Sequence, residues 1–126
     1  MPMLVCASVS ASSRWYQDVL GLTSAHGGDE YEMLMSDGHL VLQLHHADTQ
    51  HHDHLFSREL PRTGNGVAVW FESDTLPEVA ERAHASRAEV LLDVHVNPQA
   101  HHSEIWLRDL DGYLVVVSSP FDPSIT

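Results

Sequence analysis

Two Asp-Gly pairs, each followed by an apolar run, constrain the fold of this chain more than any other feature. The pairs are Asp37-Gly38 and Asp111-Gly112, and a second strand-like segment precedes each of them. Asp-Gly is typical of the two-residue turn of a β-hairpin, and a short apolar run is typical of a buried strand. The sequence therefore predicts one hairpin of the same design in each half of the chain, with strands at 30–35, 39–44, 103–108 and 113–117.

The two halves also begin alike, with an apolar strand followed by a helix. The first helix has an apolar face that includes Trp15 and Tyr16, and Gly21 is placed to end it. At the start of the second helix, Thr75 and Glu78 have the spacing of a capping box. The strands that open the two halves are predicted at 3–9 and 66–71. One more strand separates each helix from its hairpin, and these two strands are predicted at 22–27 and 90–96.

The order β-α-β-β-β thus occurs twice, and this predicts an α+β fold of two tandem modules. We expect a single domain over 1–126, with a first module at 1–46, a His-rich linker at 47–64 and a second module at 65–126. One helix covers only one face of a sheet. The two modules are therefore expected to form a curved mixed eight-stranded sheet with a central cup, lined by alternate strand residues.

Two segments resemble a known superfamily. Residues 11–22, which contain Trp15-Tyr16 and Leu20-Gly21-Leu22, resemble the aromatic-Tyr-x-x-x-Leu-Gly-Leu helix of the vicinal oxygen chelate superfamily. This group contains glyoxalases, bleomycin resistance proteins and extradiol dioxygenases. Residues 107–113 resemble its Asp-Pro-Asp-Gly turn, with Leu110 in place of proline. The resemblance implies the fold just described and a homodimer, but the fold carries several different activities.

The resemblance also implies where a divalent metal would be held, by one residue from the first and last strand of each module. The matching positions are Ala7, Gln43, Val67 and Val116, of which only Gln43 carries a donor atom. A metal site needs three or four suitable ligands, so we expect the usual site to be absent.

Other polar residues alternate along predicted strands and could form a different site. Their positions predict that Gln43 and His45 share one face of a strand, as do His95 and Asn97, and as do His102, Glu104 and Trp106. If these faces line the cup, a catalytic or divalent-metal site could form from His45, His95, His102 and Glu104. Gln43, Trp70, Asn97 and Trp106 are then candidate ligand-binding residues, because aromatic walls suit planar ligands.

The net charge of −12 narrows the range of partners. Six arginines and no lysine face eighteen acidic residues, so a basic footprint for nucleic acid is missing and an anionic membrane surface would repel the chain. Glu30 and Glu32 alternate on one strand and would form either an exposed acidic face or a rim that attracts cations. The single cysteine, Cys6, suits a reducing cytoplasm.

Three functions fit these features. The first is binding of a small aromatic or cationic molecule without a metal, and the second is metal-dependent lyase or dioxygenase activity at a non-standard His/Glu site. The third is a metal-free enzyme in which a His/Glu pair moves a proton.

Overall fold

The computed structural model of the chain describes residues 1–47 and 67–126, which carry both predicted modules. The chain divides into two compact units, Met1–Thr63 and Gly64–Thr126. Apart from Ala47, the predicted linker at 47–64 lies outside the described residues. Each unit has the element order β-α-β-β-β that the sequence predicts, so the α+β class and the repeat of two modules are confirmed.

The elements have the following bounds. The first unit contains β1 (Met3–Cys6), α1 (Val9–Leu20), β2 (Thr23–Ser24), β3 (Tyr31–Ser36) and β4 (His39–His46). The second unit contains β5 (Ala68–Glu72), α2 (Leu76–Ala85), β6 (Glu89–Asn97), β7 (His102–Arg108) and β8 (Leu114–Ser118). The eight strands form two four-stranded sheets of matching order, β1-β4-β3-β2 and β5-β8-β7-β6. In each sheet the first pair is parallel and the other two pairs are antiparallel.

The Asp-Gly pairs form the predicted turns between the last two strands of each unit. Asp37 and Gly38 both have positive φ, 49° and 78°, as a type I′ hairpin turn requires. Gly112 has a φ of 88°, and the preceding Asp109 accepts hydrogen bonds at Oδ1 from the backbone N–H groups of Asp111 and Tyr113. These local bonds help to close the second turn.

In the first unit, α1 packs on one face of its sheet. Ser8 caps the helix by accepting the N–H of Ala11, and Gly21 ends it in the left-handed conformation at a φ of 72°, as predicted. Leu34, Leu42 and Leu44 are fully buried on the strands. β1 is shorter than the predicted strand at 3–9 because the chain turns at Ser8 to begin the helix.

The second unit has the same plan, with α2 covering the face of the sheet that carries Val69, Ile105, Leu107, Val115 and Val117. The predicted capping box is wrong. Thr75 makes no side-chain bond to the helix; its hydroxyl lies 3.2 Å from that of Ser73, and its carbonyl accepts the N–H of Glu78. Pro77 lies in the first turn of the helix, where its missing N–H costs no helical hydrogen bond.

None of the helices in the described residues is long and apolar enough to cross a membrane.

Candidate functional site

Polar and aromatic side chains cover the face of the second sheet that α2 leaves open. The strand register places His95 opposite Glu104, and Asn97 opposite His102. Trp106 lies two residues beyond Glu104 on the same face. The structure thus brings together five residues that the sequence singled out, here called the Glu104 cluster: His95, Asn97, His102, Glu104 and Trp106.

Glu104 is the centre of this cluster and is 2% exposed. Its Oε2 lies 2.6 Å from Nε2 of His102, and its Oε1 accepts the indole N–H of Trp106 at 2.8 Å. Nε2 of His95 lies 3.3 Å from Oε1, and the Asn97 amide lies 3.4 Å from both oxygens. Donors therefore occupy both carboxylate oxygens.

These contacts decide the charge of the buried carboxyl. Burial by itself raises the pKa of Glu104, but the hydrogen bonds from His102, Trp106 and Asn97, with the electrostatic attraction of His102, outweigh it and lower the pKa. The group therefore stays ionised at neutral pH. Both of its oxygens are engaged by protein donors.

The two histidines differ in how their second ring nitrogen is used. Nδ1 of His95 lies 2.8 Å from the carbonyl oxygen of Asp93, so both nitrogens of His95 face oxygen acceptors. In the described part of the chain, Nδ1 of His102 has no hydrogen-bond partner, and the side chain is 13% exposed. Since Nε2 faces a carboxylate, the neutral ring carries its proton there and leaves Nδ1 as an acceptor.

Trp70 extends this face beyond the cluster. It is 48% exposed, its indole N–H donates to Oγ of Ser118 at 3.0 Å, and its ring centre lies 5.8 Å from that of His102. Ser118 pairs with Glu104 in the register of β7 and β8. The indole is thus held by one hydrogen bond and still presents much of its surface for stacking. Ser118 was missed by the sequence reasoning, and only strand pairing could have identified it.

In the first unit, Gln43 and His45 share a strand face, as predicted, together with Tyr31. The Tyr31 hydroxyl donates to Oε1 of Gln43, and the Tyr31 ring centre lies 6.0 Å from that of His45. His45 is 5% exposed, and its Nδ1 is 3.1 Å from the carbonyl oxygen of His46. Tyr31 and His46, which make these contacts with His45, both belong to the first unit.

The four positions where the superfamily usually holds a metal do not offer a set of ligands in this chain. Ala7 and Val67 lie just outside β1 and β5, and Val116 is fully buried. The side-chain oxygen of Gln43 already accepts the Tyr31 hydroxyl. The register also places Trp70, not Val67, beside Val116.

These residue types do not fit a divalent metal, because only one of the four carries a donor. Within residues 1–47 and 67–126, no group of three or more His, Cys, Asp and Glu side chains is arranged to hold a metal ion. His95, His102 and Glu104 come together as a hydrogen-bonded set.

Glu32 is a second buried carboxylate, whereas the sequence predicted that it would lie with Glu30 either on an exposed acidic face or on a rim that attracts cations. It is 3% exposed, whereas Glu30 is exposed as predicted. Its Oε2 accepts the hydroxyls of Ser13 and Ser24 at 2.7 and 2.8 Å. Its Oε1 accepts backbone N–H groups of residues 26, 27 and 33. Burial raises its pKa, but these hydrogen bonds outweigh that effect and lower it.

The Glu32 contacts also explain why the strand predicted at 22–27 is reduced to Thr23–Ser24. The N–H groups of His26 and Gly27 point to the carboxylate instead of to a neighbouring strand. Gly27 and Gly28 have φ values of 73° and 134°, which turn the chain out of the sheet. The Gly-Gly pair is the sequence signal for this turn.

Comparisons with known proteins agree with this fold. The chain is similar to a lactoylglutathione lyase from Agrobacterium tumefaciens, with 21% identity over 94% of this chain and 90% of that chain and a TM-score of 0.68. It is also similar to a glyoxalase/bleomycin resistance protein/dioxygenase from Nocardioides, with 20% identity over 98% of this chain and 83% of that chain and a TM-score of 0.70. A third similar structure is an integron cassette protein from the mobile metagenome of V. cholerae, with 20% identity over 93% of this chain and 90% of that chain and a TM-score of 0.70.

At this level of identity the solved structures show the fold alone. No curated protein matches the chain significantly. A family model described as the glyoxalase/bleomycin resistance protein/dioxygenase superfamily matches residues 2–117, which is most of the chain. The chain therefore belongs to the glyoxalase/bleomycin resistance protein/dioxygenase superfamily.

Proposed function

We propose that this protein binds a small aromatic or cationic molecule on the open face of the second sheet, and that it does so without the usual metal of its superfamily. The observation that carries the proposal is the half-exposed ring of Trp70 beside the Glu104 cluster. A half-exposed indole offers an apolar ring face that is suited to stacking on planar rings.

The neighbouring polar groups support a defined binding surface. The indole nitrogen of Trp70 is fixed by Ser118, and the cluster next to it is held by the buried Glu104 carboxylate. A site whose side chains are already positioned loses less entropy on binding. The net charge of −12 further favours cationic over anionic ligands in the encounter.

The donor set supports the metal-free part of the proposal. The usual positions carry Ala7, Gln43, Val67 and Val116, and both oxygens of Glu104 are engaged by protein donors. A metal at His95, His102 and Glu104 would have to displace those hydrogen bonds. The homodimer and the cytoplasmic location expected from the sequence stay predictions.

The test is calorimetric titration of untagged protein treated with a chelator. Para-nitroanisole serves as the neutral aromatic probe and phenyltrimethylammonium as the cationic aromatic probe, which can stack on the indole by a cation–π contact. We expect at least one probe to bind, and we expect Trp70→Ala to weaken that binding at least tenfold. Phe121→Ala is the matched control, since it removes another exposed aromatic ring of the same unit.

Two results would overturn the proposal. One is equal binding by the wild-type protein and Trp70→Ala. The other is binding that appears only after a divalent metal is restored, which would favour the metal-dependent lyase or dioxygenase alternative.

A further inference from the structure

The side-chain nitrogens of the Glu104 cluster differ in a way that selects one kind of ligand. Four residues of the cluster carry nitrogens: His95, Asn97, His102 and Trp106. The Trp106 indole and the Asn97 amide face the Glu104 carboxylate, and both nitrogens of His95 face oxygen acceptors. In the described residues, Nδ1 of His102 is the one side-chain nitrogen of the cluster without a protein partner.

Glu104 determines which form of His102 is present. The 2.6 Å contact between Oε2 and Nε2 is that of a strong charge-assisted hydrogen bond, and it holds the ring proton on Nε2. In the neutral ring, Nδ1 is then a lone-pair acceptor. His95 does not offer this acceptor, because its Nδ1 lies 2.8 Å from the carbonyl oxygen of Asp93.

The acceptor lies beside a surface for stacking. The His102 ring is 5.8 Å from the Trp70 ring and tilted by 49° to it, and Trp70 is half exposed. A planar molecule on the indole would therefore place its edge close to the imidazole. A hydroxyl or N–H group on that edge would satisfy Nδ1, whereas an ether or carbonyl oxygen would not.

We propose that the ligand of this face is an aromatic molecule bearing a hydroxyl or N–H donor, that it stacks on Trp70, and that Nδ1 of His102 accepts its hydrogen bond. Glu104 acts as the positioning residue that keeps the proton of His102 on Nε2. This inference rests on the function proposed above and narrows the ligand class.

The first experiment compares para-cresol, whose hydroxyl stays un-ionised at neutral pH, with its methyl ether, para-methylanisole, by titration of chelator-treated protein. The two probes share the same ring, and in the ether a methyl group replaces the hydroxyl proton that would be donated. We expect the phenol to bind about tenfold more tightly, the effect of one well-formed hydrogen bond to a desolvated acceptor. His102→Phe should abolish the preference while still binding the ether, and His84→Gln, an exposed histidine paired with Asp93, should retain it.

The second experiment needs no ligand. Nitrogen-15 NMR of the imidazole rings reports which nitrogen carries the proton, and we expect the Nε2–H form at His102 in the wild-type protein and loss of that preference in Glu104→Gln.

The outcomes separate this inference from the proposed function. Equal affinity for the phenol and the ether, or an Nδ1–H form of His102, overturns the inference but leaves aromatic binding on Trp70 in place. Failure of every aromatic probe to bind overturns both.

Discussion

Replacing Glu32 by alanine should destabilise the first unit far more than the same replacement at Glu30. Glu32 is 3% exposed and accepts hydrogen bonds from two serine hydroxyls and three backbone N–H groups. Glu30 lies two residues earlier in the chain and is exposed. The pair therefore compares a fully engaged buried carboxylate with a solvated one on the same stretch of chain.

The magnitude follows from where the five donors would go. Ser24 and His26 are exposed and can turn to water, whereas Ser13 is 4% exposed and would keep its hydroxyl buried. A buried donor left without a partner costs about 1–3 kcal/mol, and each methylene removed from the interior costs about 0.8 kcal/mol. With the loss of the charge-assisted bond from the Gly27 N–H at 2.7 Å, we expect a decrease of about 3–4 kcal/mol in the free energy of unfolding.

The assay is urea unfolding followed by circular dichroism, at pH 7 and again at pH 3. Because the pKa of Glu32 is lowered in the folded state, its contribution is complete above its ordinary pKa of 4.5 and is lost as the pH falls through the lowered value. The difference between the wild-type protein and Glu32→Ala should therefore shrink at pH 3. Glu30→Ala should cost less than about 0.5 kcal/mol. Equal effects of the two variants, or a Glu32→Ala effect that does not depend on pH, would contradict the stabilising role of the buried Glu32 carboxylate.

Two further predictions concern the second buried carboxylate and a turn. In thermal unfolding at successive pH values, Glu104→Gln should reduce the loss of stability that the wild-type protein shows as the pH falls below about 4.5, because the lowered pKa of Glu104 makes its contribution disappear there. The same loss of stability in Glu104→Gln and the wild-type protein would contradict this. Gly38→Ala should lower the free energy of unfolding by about 1 kcal/mol because Gly38 has a φ of 78°, although nothing lies within 4 Å of the added methyl group. A thermal midpoint equal to that of the wild-type protein would show that this turn does not require glycine.

The sequence predicted the fold well because its signals are local. The Asp37-Gly38 and Asp111-Gly112 turns and the Gly21 helix end depend on backbone conformations that few residues adopt, so the residue types alone reveal them. The elements around them then follow from apolar periodicity. The capping box failed for a related reason: the hydroxyl of Thr75 had a competing partner in Ser73, which spacing does not show.

The candidate site was predictable in part. Because side chains alternate between the two faces of a strand, the sequence predicted His102, Glu104 and Trp106 on one face of β7. The contacts of Glu104 with His102 and Trp106 agree with that placement. The role of Ser118 depends on pairing between strands that are distant in sequence.

Glu32 was misplaced because its environment depends on the chain folding back at Gly27. Alternation along the predicted strand at 30–35 placed Glu30 and Glu32 on one face, but it could not show that loop N–H groups cover Glu32. A carboxylate that is buried by its own neighbouring loop is not visible in strand periodicity.

The most direct test of the account uses the three tryptophan indole N–H signals in a proton–nitrogen NMR spectrum. Trp70 and Trp106 lie at the proposed binding face, whereas Trp15 is buried in the first unit against Tyr16 and serves as the internal control. When para-cresol is added to chelator-treated protein, we predict that the signals of Trp70 and Trp106 shift with saturation while that of Trp15 stays in place. Shifts that exclude Trp70, or that require a divalent metal, would contradict metal-free binding on this face.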